Sequence, residues 1–152
     1  MAILRQRRSV VLLVQPHGND RSMYAEFLRS QGVRTICPVR AINALKIAAR
    51  ADVIVTGVLL DETIDGIELV TRLRTDERTK HAPIIVLTAC AWQTERDRAV
   101  GAGCDVFLSK PCLPDDLLRE IRRLLATGRV RGTRKSEAQK SDLRRRRSRP
   151  TS

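Results

Sequence analysis

Between residues 9 and 126 the chain alternates short apolar runs with longer stretches whose apolar residues recur every three or four positions. The runs are residues 10–14, 33–37, 53–55, 84–87 and 106–108. They are rich in Val and Ile and bounded by Gly, Pro or polar clusters, the pattern of buried strands. The stretches between and after them, 21–30, 41–50, 67–74, 93–101 and 115–126, have helical spacing. In the last of these Leu117, Leu118, Ile121, Leu124 and Leu125 fall on one face. Strict strand–helix alternation with near-continuous apolar strands predicts a parallel sheet covered by helices on both faces.

Right-handed crossovers leave few arrangements for such a chain. Five strand–helix units fit an α/β fold, a flavodoxin-like (βα)5 doubly wound five-stranded parallel sheet. Ligand chemistry in that architecture gathers at the C-terminal strand ends, which here are Gln15-Pro16, Gly57, Thr88 and Lys110. The pattern brings them to one crevice. A basic N-terminal extension, residues 1–8, precedes the domain at 9–126. Past it, Thr127-Gly128 is expected to stop the last helix, and apolar residues all but vanish except for Val130 and Leu143. Residues 127–152 are therefore expected to form a disordered cationic tail.

Composition narrows the picture. Of 152 residues, 42% are hydrophobic, enough for a core and for one domain, so disorder throughout is excluded. Only Trp92, Tyr24, Phe27 and Phe107 are aromatic, which leaves Val, Ile, Leu and Ala to fill that core. No apolar run approaches the roughly 20 residues that span a bilayer. Arg7-Arg8 precedes an apolar run that stops at Gln15-Pro16-His17, too short for an export signal. The four cysteines form no C-x-x-C pair, and His17 and His81 do not stand at metal-ligand spacing, so no metal and no cofactor is expected. A cytoplasmic location with reduced thiols is the default. The net charge of +12 is unevenly placed, because residues 127–152 hold ten Lys and Arg against two acids. Arg144, Arg145, Arg146, Arg147 and Arg149 could contact nucleic-acid phosphates non-specifically, with a steep salt dependence. An acidic partner, an anionic lipid surface and a merely solubilising extension remain alternatives. The tail carries no aromatic residue to stack on bases and has no room for a helix-turn-helix.

Several segments together resemble a known family. They are Val11-Leu12-Leu13-Val14, Asp52-Val53-Ile54-Val55-Thr56-Gly57, Ile64-Asp65-Gly66-Ile67-Glu68-Leu69, Pro83-Ile84-Ile85-Val86-Leu87-Thr88-Ala89, and the run from Ala102 through Asp105-Val106-Phe107-Leu108-Ser109 to Lys110-Pro111. In this order they resemble the receiver domain of bacterial two-component response regulators. The resemblance implies a module in which an aspartate at the end of the third strand accepts a phosphoryl group from a histidine kinase. It further implies an acidic pair after the first strand that helps hold Mg²⁺, and a Lys and a Thr that contact the phosphoryl oxygens. Lys110 and Thr88 match that pattern. The acidic pair falls on Gln15-Pro16 and the acceptor on Gly57, which has no side chain to phosphorylate.

Mg²⁺ binds through carboxylate oxygens, so an amide, an imino acid and a glycine predict no tight Mg²⁺ site. Lys110, without its usual partner, should reach solvent, find Asp20, Asp61 or Glu62, or bind an anion. The resemblance also implies a relay from Thr88 to an aromatic on the fifth strand, here Phe107, and a partner face built from the fourth helix, fifth strand and last helix. A core role for Phe107 and a plain solvated surface for the mixed charges of those helices are the competing readings. Trp92 is a candidate contact anchor or a cap on the core, and Pro111 borders the same face. Cys90 and Cys112 stand on adjacent loops, either as a redox pair or as small buried residues. The expectation is a non-enzymatic, degenerate receiver in phosphorelay signal transduction, contacting a histidine kinase or other signalling protein. Its competitor is a nucleic-acid-associated protein whose tail supplies the affinity.

Overall fold

A computed structural model describes residues 8–16, 18–61 and 63–128. The tail arginines Arg144 to Arg147 and Arg149, most of the N-terminal extension, His17 and Glu62 lie outside the described residues. Five strands, β1 (Val10–Val14), β2 (Arg34–Ile36), β3 (Val53–Thr56), β4 (Ile84–Thr88) and β5 (Val106–Ser109), form one sheet. Their order is β2-β1-β3-β4-β5 and every pairing is parallel. The helices are α1 (Asn19–Ser30), α2 (Ala41–Ile47), α3 (Gly66–Thr75), α4 (Gln93–Ala102) and α5 (Pro114–Gly128).

Alternation along each strand divides the core in two. Leu12, Val14, Ile54, Ile84 and Val86 pack with α2, α3 and α4 on one face. Val11, Leu13, Val53, Val55, Ile85 and Leu87 pack with Tyr24 and Leu28 of α1 and with Leu117, Leu118, Ile121 and Leu124 of α5 on the other. By the same parity Gln15, Gly57 and Lys110 leave the sheet toward α1 and α5, and Thr88 toward the opposite layer.

Most elements differ from their sequence-based bounds by one or two residues at an end, and three of the differences have a visible cause. The second strand pairs only over Arg34–Ile36, because it lies at the sheet edge and Val33 is committed to a bond with Leu28 of α1. The expected helix at 41–50 is α-helical to Ile47 and tightens into a 3-10 turn at Ala48–Arg50. The last helix passes Thr127 and includes Gly128, since Thr127 Oγ1 folds back on the Leu124 carbonyl rather than breaking the helix.

Two glycines are required by geometry. Gly103 ends α4 at φ +112, a left-handed cap whose N–H returns to Ala99 and Val100 carbonyls. Gly66 opens α3, and a Cβ there would lie 1.6 Å from the Gly57 carbonyl oxygen. Asp65 caps the same helix by accepting from Glu68 N–H at 2.8 Å. This Asp-Gly pair fixes the β3–α3 loop directly beneath the end of β3.

Candidate functional site

The site is built at the strand ends. Gly57 N–H donates to the Val14 carbonyl, extending the β1–β3 ladder by one bond, and Lys110 N–H donates to the Thr88 carbonyl, extending β4–β5. Gln15, Gly57, Thr88 and Lys110 thus stand on four adjacent strand ends, as the sequence pattern implies. Pro16 is exposed beside them, its Cδ 3.4 Å from where a Cβ on Gly57 would stand.

Gln15 lies across the space an acceptor side chain would use. It is 5% exposed, its Nε2 donates to the Leu87 carbonyl on β4 at 3.1 Å, and that nitrogen would be 3.4 Å from a Gly57 Cβ. The bond spans from β1 over β3 to β4, and glycine at position 57 leaves room for it. Gln15 Oε1 is buried and finds no hydrogen-bond partner among the described residues, so the amide carries a neutral acceptor where a metal-binding carboxylate would have placed its charge. Thr88, 5% exposed, accepts the Cys90 N–H on Oγ1 at 3.0 Å.

Of the partners considered for Lys110, the structure selects Asp20. Lys110 Nζ is 3.3 Å from Asp20 Oδ2, with side-chain exposures of 15% and 64%. The ammonium also stands 5.9 Å from the Tyr24 ring centroid, one helical turn after Asp20 on α1. The Tyr24 hydroxyl donates to the Cys112 carbonyl at 2.6 Å, so a single turn of α1 holds both sides of the cis Lys110–Pro111 peptide.

Asp61 is committed elsewhere. Its carboxylate accepts from Ala41 N–H at 2.6 Å and Thr63 N–H at 2.8 Å, and from the Thr63 hydroxyl. The Thr63 hydroxyl first, and then these amides, bring its pKa down to about 2. It secures the start of α2 to the β3–α3 loop, a role sequence reading missed; the Asp-x-Thr spacing was the available signal.

An amide, an imino acid and a glycine do not fit the oxygen-rich anionic shell that Mg²⁺ takes. The nearby acids Asp20 and Asp61 do not compensate, being turned to Lys110 and to α2. Among the described residues no group of three or more His, Cys, Asp or Glu is placed to hold a metal ion.

On the flank formed by α4, β5 and α5, Phe107 is half-buried and packs against the core. The Arg96 guanidinium covers its ring at 4.9 Å, within cation–π range. Arg96 therefore belongs to this face, beyond a plain solvated charge. Trp92 is 73% exposed at the start of α4 and does not cap the core; Pro111 is exposed as well. Cys90 and Cys112 are both free and half-buried, and burial pushes the Cys112 thiol up, away from the reactive thiolate.

No helix among the described residues is long and apolar enough to cross a membrane. The family model for the response regulator receiver domain matches residues 11–122. The polar-differentiation response regulator DivK of Brucella anthropi is 26% identical over 117 residues, which are 76% of this chain and 94% of DivK. A solved structure of the receiver domain of sensor histidine kinase PA1611 from Pseudomonas aeruginosa PAO1, with magnesium coordinated in its active-site cleft, matches with a TM-score of 0.72 at 30% identity. It covers 79% of this chain and 99% of that one. The chemotaxis response regulator CheY4 of Vibrio cholerae matches at 0.70 and 27%, covering 78% and 99%. The sheet order, the strand-end Thr and Lys and these matches agree: the chain belongs to the response regulator receiver domain family.

Proposed function

We propose that this receiver domain acts in two-component-type signal transduction through protein contacts alone, without aspartyl phosphorylation and without enzymatic activity of its own. The observation that carries this reading is the pair Gln15 and Gly57. The acceptor position has no side chain, and the Gln15 amide, bonded to Leu87, lies over it. Phosphoryl transfer needs an in-line oxygen nucleophile and charge neutralisation around it; the retained Thr88 and Lys110 supply neither the nucleophile nor the metal-binding carboxylates. The magnesium held in the cleft of the PA1611 receiver has no matching ligand set at Gln15, Pro16 and Gly57.

Lys110, paired to Asp20 instead of to an acceptor carboxylate, keeps the β5–α5 loop in one arrangement. The partner, a histidine kinase or another signalling protein, meets the α4-β5-α5 face, where Trp92, Arg96 over Phe107, and Pro111 offer an aromatic and cationic contact surface. The working unit is residues 9–126 in a cytoplasmic setting. Amide NMR spectra recorded with and without Mg²⁺ plus a small phosphodonor test the reading. Superimposable signals at Gly57, Thr88 and Lys110 are expected, and displaced signals there would refute it.

A further inference from the structure

Three arginines from separate stretches of the chain line one depression at the N-terminal end of the sheet. Arg8, Arg29 and Arg34 share it with Gly32, Val33 and Thr35, in a volume of about 290 Å³. Hydrogen bonds bring them there. Arg34 N–H donates to the Ser9 carbonyl at 3.0 Å, which sets Arg34 beside Arg8, and Arg29 reaches from α1 to donate to the Thr35 carbonyl at 2.8 Å. All three arginines are exposed, and among the described residues no carboxylate lines the depression. Glu26 lines the adjoining one, with Arg29 and Cys37. Asp52, at the same end of the sheet, is committed to Val10 N–H at 2.8 Å.

What can bind here follows from the groups this edge leaves unspent. β2 is an edge strand, paired with β1 alone. Arg34 and Ile36 turn their backbone groups to β1, so Thr35 between them turns its N–H and C=O to the open side. A peptide strand adding to this edge would need acceptors as well as donors. The acceptors are taken: Arg29 occupies the Thr35 carbonyl, and Thr35 Oγ1 donates to the Val33 carbonyl at 3.3 Å. Donors remain, namely the Thr35 N–H, the guanidinium groups of Arg8 and Arg34, and the rest of the Arg29 fork.

Cations around a concave, acid-free surface repel one another until an anion occupies it. Arginine forks match phosphate oxygens in particular. A phosphate monoester, with three acceptor oxygens and a charge of about −2, suits three arginines on one depression better than the singly charged diester of a nucleic-acid backbone. The volume falls at the lower end of small-molecule sites, about 300 Å³. We infer that this depression binds the phosphate monoester group of a small molecule through Arg8, Arg29, Arg34 and the Thr35 N–H, at the opposite end of the sheet from the receiver pocket.

The test titrates the full chain with glycerol 2-phosphate while its amide NMR signals are recorded. The Thr35 and Gly32 amides should shift and saturate with a Kd on the order of 1 mM. Dimethyl phosphate, a diester, and sodium chloride at matched ionic strength should produce no such saturation. Arg8→Gln combined with Arg34→Gln removes two exposed charges and leaves Arg29 on the Thr35 carbonyl; binding should weaken about tenfold or more. Arg40→Gln, one charge removed at the other end of the sheet, should leave the Kd unchanged. The inference is overturned by a lack of saturation at Thr35 up to about 20 mM, by an equal response to the diester or to sodium chloride, by unchanged affinity in the double variant, or by shifts centred on Thr88 and Lys110 instead.

Discussion

Gly57 and Gly66 are close neighbours in space yet forbid different things. A Cβ on Gly66 would strike the Gly57 carbonyl at 1.6 Å, a backbone atom that cannot turn aside. Gly66→Ala should therefore cost about 3 kcal/mol or more. A Cβ on Gly57 meets only side-chain atoms at 3.4–3.5 Å, so Gly57→Ala should stay within about 1 kcal/mol of the native chain. Urea denaturation of the two variants checks the contrast. It bears on function, because a tolerated side chain at position 57 would mean that the glycine is not imposed by the fold. At Asp61 the carboxyl pKa is lowered to about 2 by the Thr63 hydroxyl and the Ala41 and Thr63 amides, against about 3.9 for a free aspartate. A depressed carboxyl stabilises the fold above the unfolded pKa and loses that contribution as pH falls through the folded one. The melting-temperature gap between native and Asp61→Asn chains should be constant above about pH 4 and narrow toward about pH 2. The sequence exposed the gaps at Gln15, Pro16 and Gly57 because those positions follow directly from strand register. It left Asp61 open because its partner, Ala41 N–H, is brought in by the tertiary fold.

At the scale of elements, strands were the most legible feature, since fully buried β1, β3 and β4 must be apolar on both faces. β2 was overestimated because an edge strand ends where its single neighbour stops pairing. α4, read at 93–101, spans Gln93–Ala102 although Ala99 is its only buried residue. Its C-terminus is instead secured from α3. Arg74 donates to the carbonyls of Gly103, Ala82 and Lys80 and to the Asp105 carboxylate, tying α3 to the starts of β4 and β5. Arg74→Gln should destabilise by about 2–4 kcal/mol, because carbonyls and a half-buried carboxylate lose their donor. Hydrogen exchange should then show faster opening at the α4–β5 junction than in β1. Equal change in both would argue against this local role. No spacing rule in the sequence pairs Arg74 with Gly103 and Asp105, as these bonds join residues about thirty positions apart.

For the whole molecule, the sheet separates two chemistries. Its C-terminal end holds the receiver pocket, closed over by Gln15 and with Lys110 paired to Asp20. At its N-terminal end Arg8, Arg29 and Arg34 line one depression. The fold class and the departures from the receiver pattern were both readable from the sequence, whereas the gathering of Arg8, Arg29 and Arg34 was not. These three residues are apart in the chain and are brought to one depression by the parallel pairing of β1 and β2. Around the pocket the receiver framework is intact, and the proposal that it takes no phosphoryl group rests on the lack of carboxylates at positions 15, 16 and 57. Intact-mass measurement after incubation with a small phosphodonor and Mg²⁺ decides the point, run on the native chain beside the combined Gln15→Asp, Pro16→Asp and Gly57→Asp variant. The native mass should stay unchanged while the variant gains one phosphoryl group. A stable phosphoryl adduct on the native chain would show instead that the pocket works without those carboxylates.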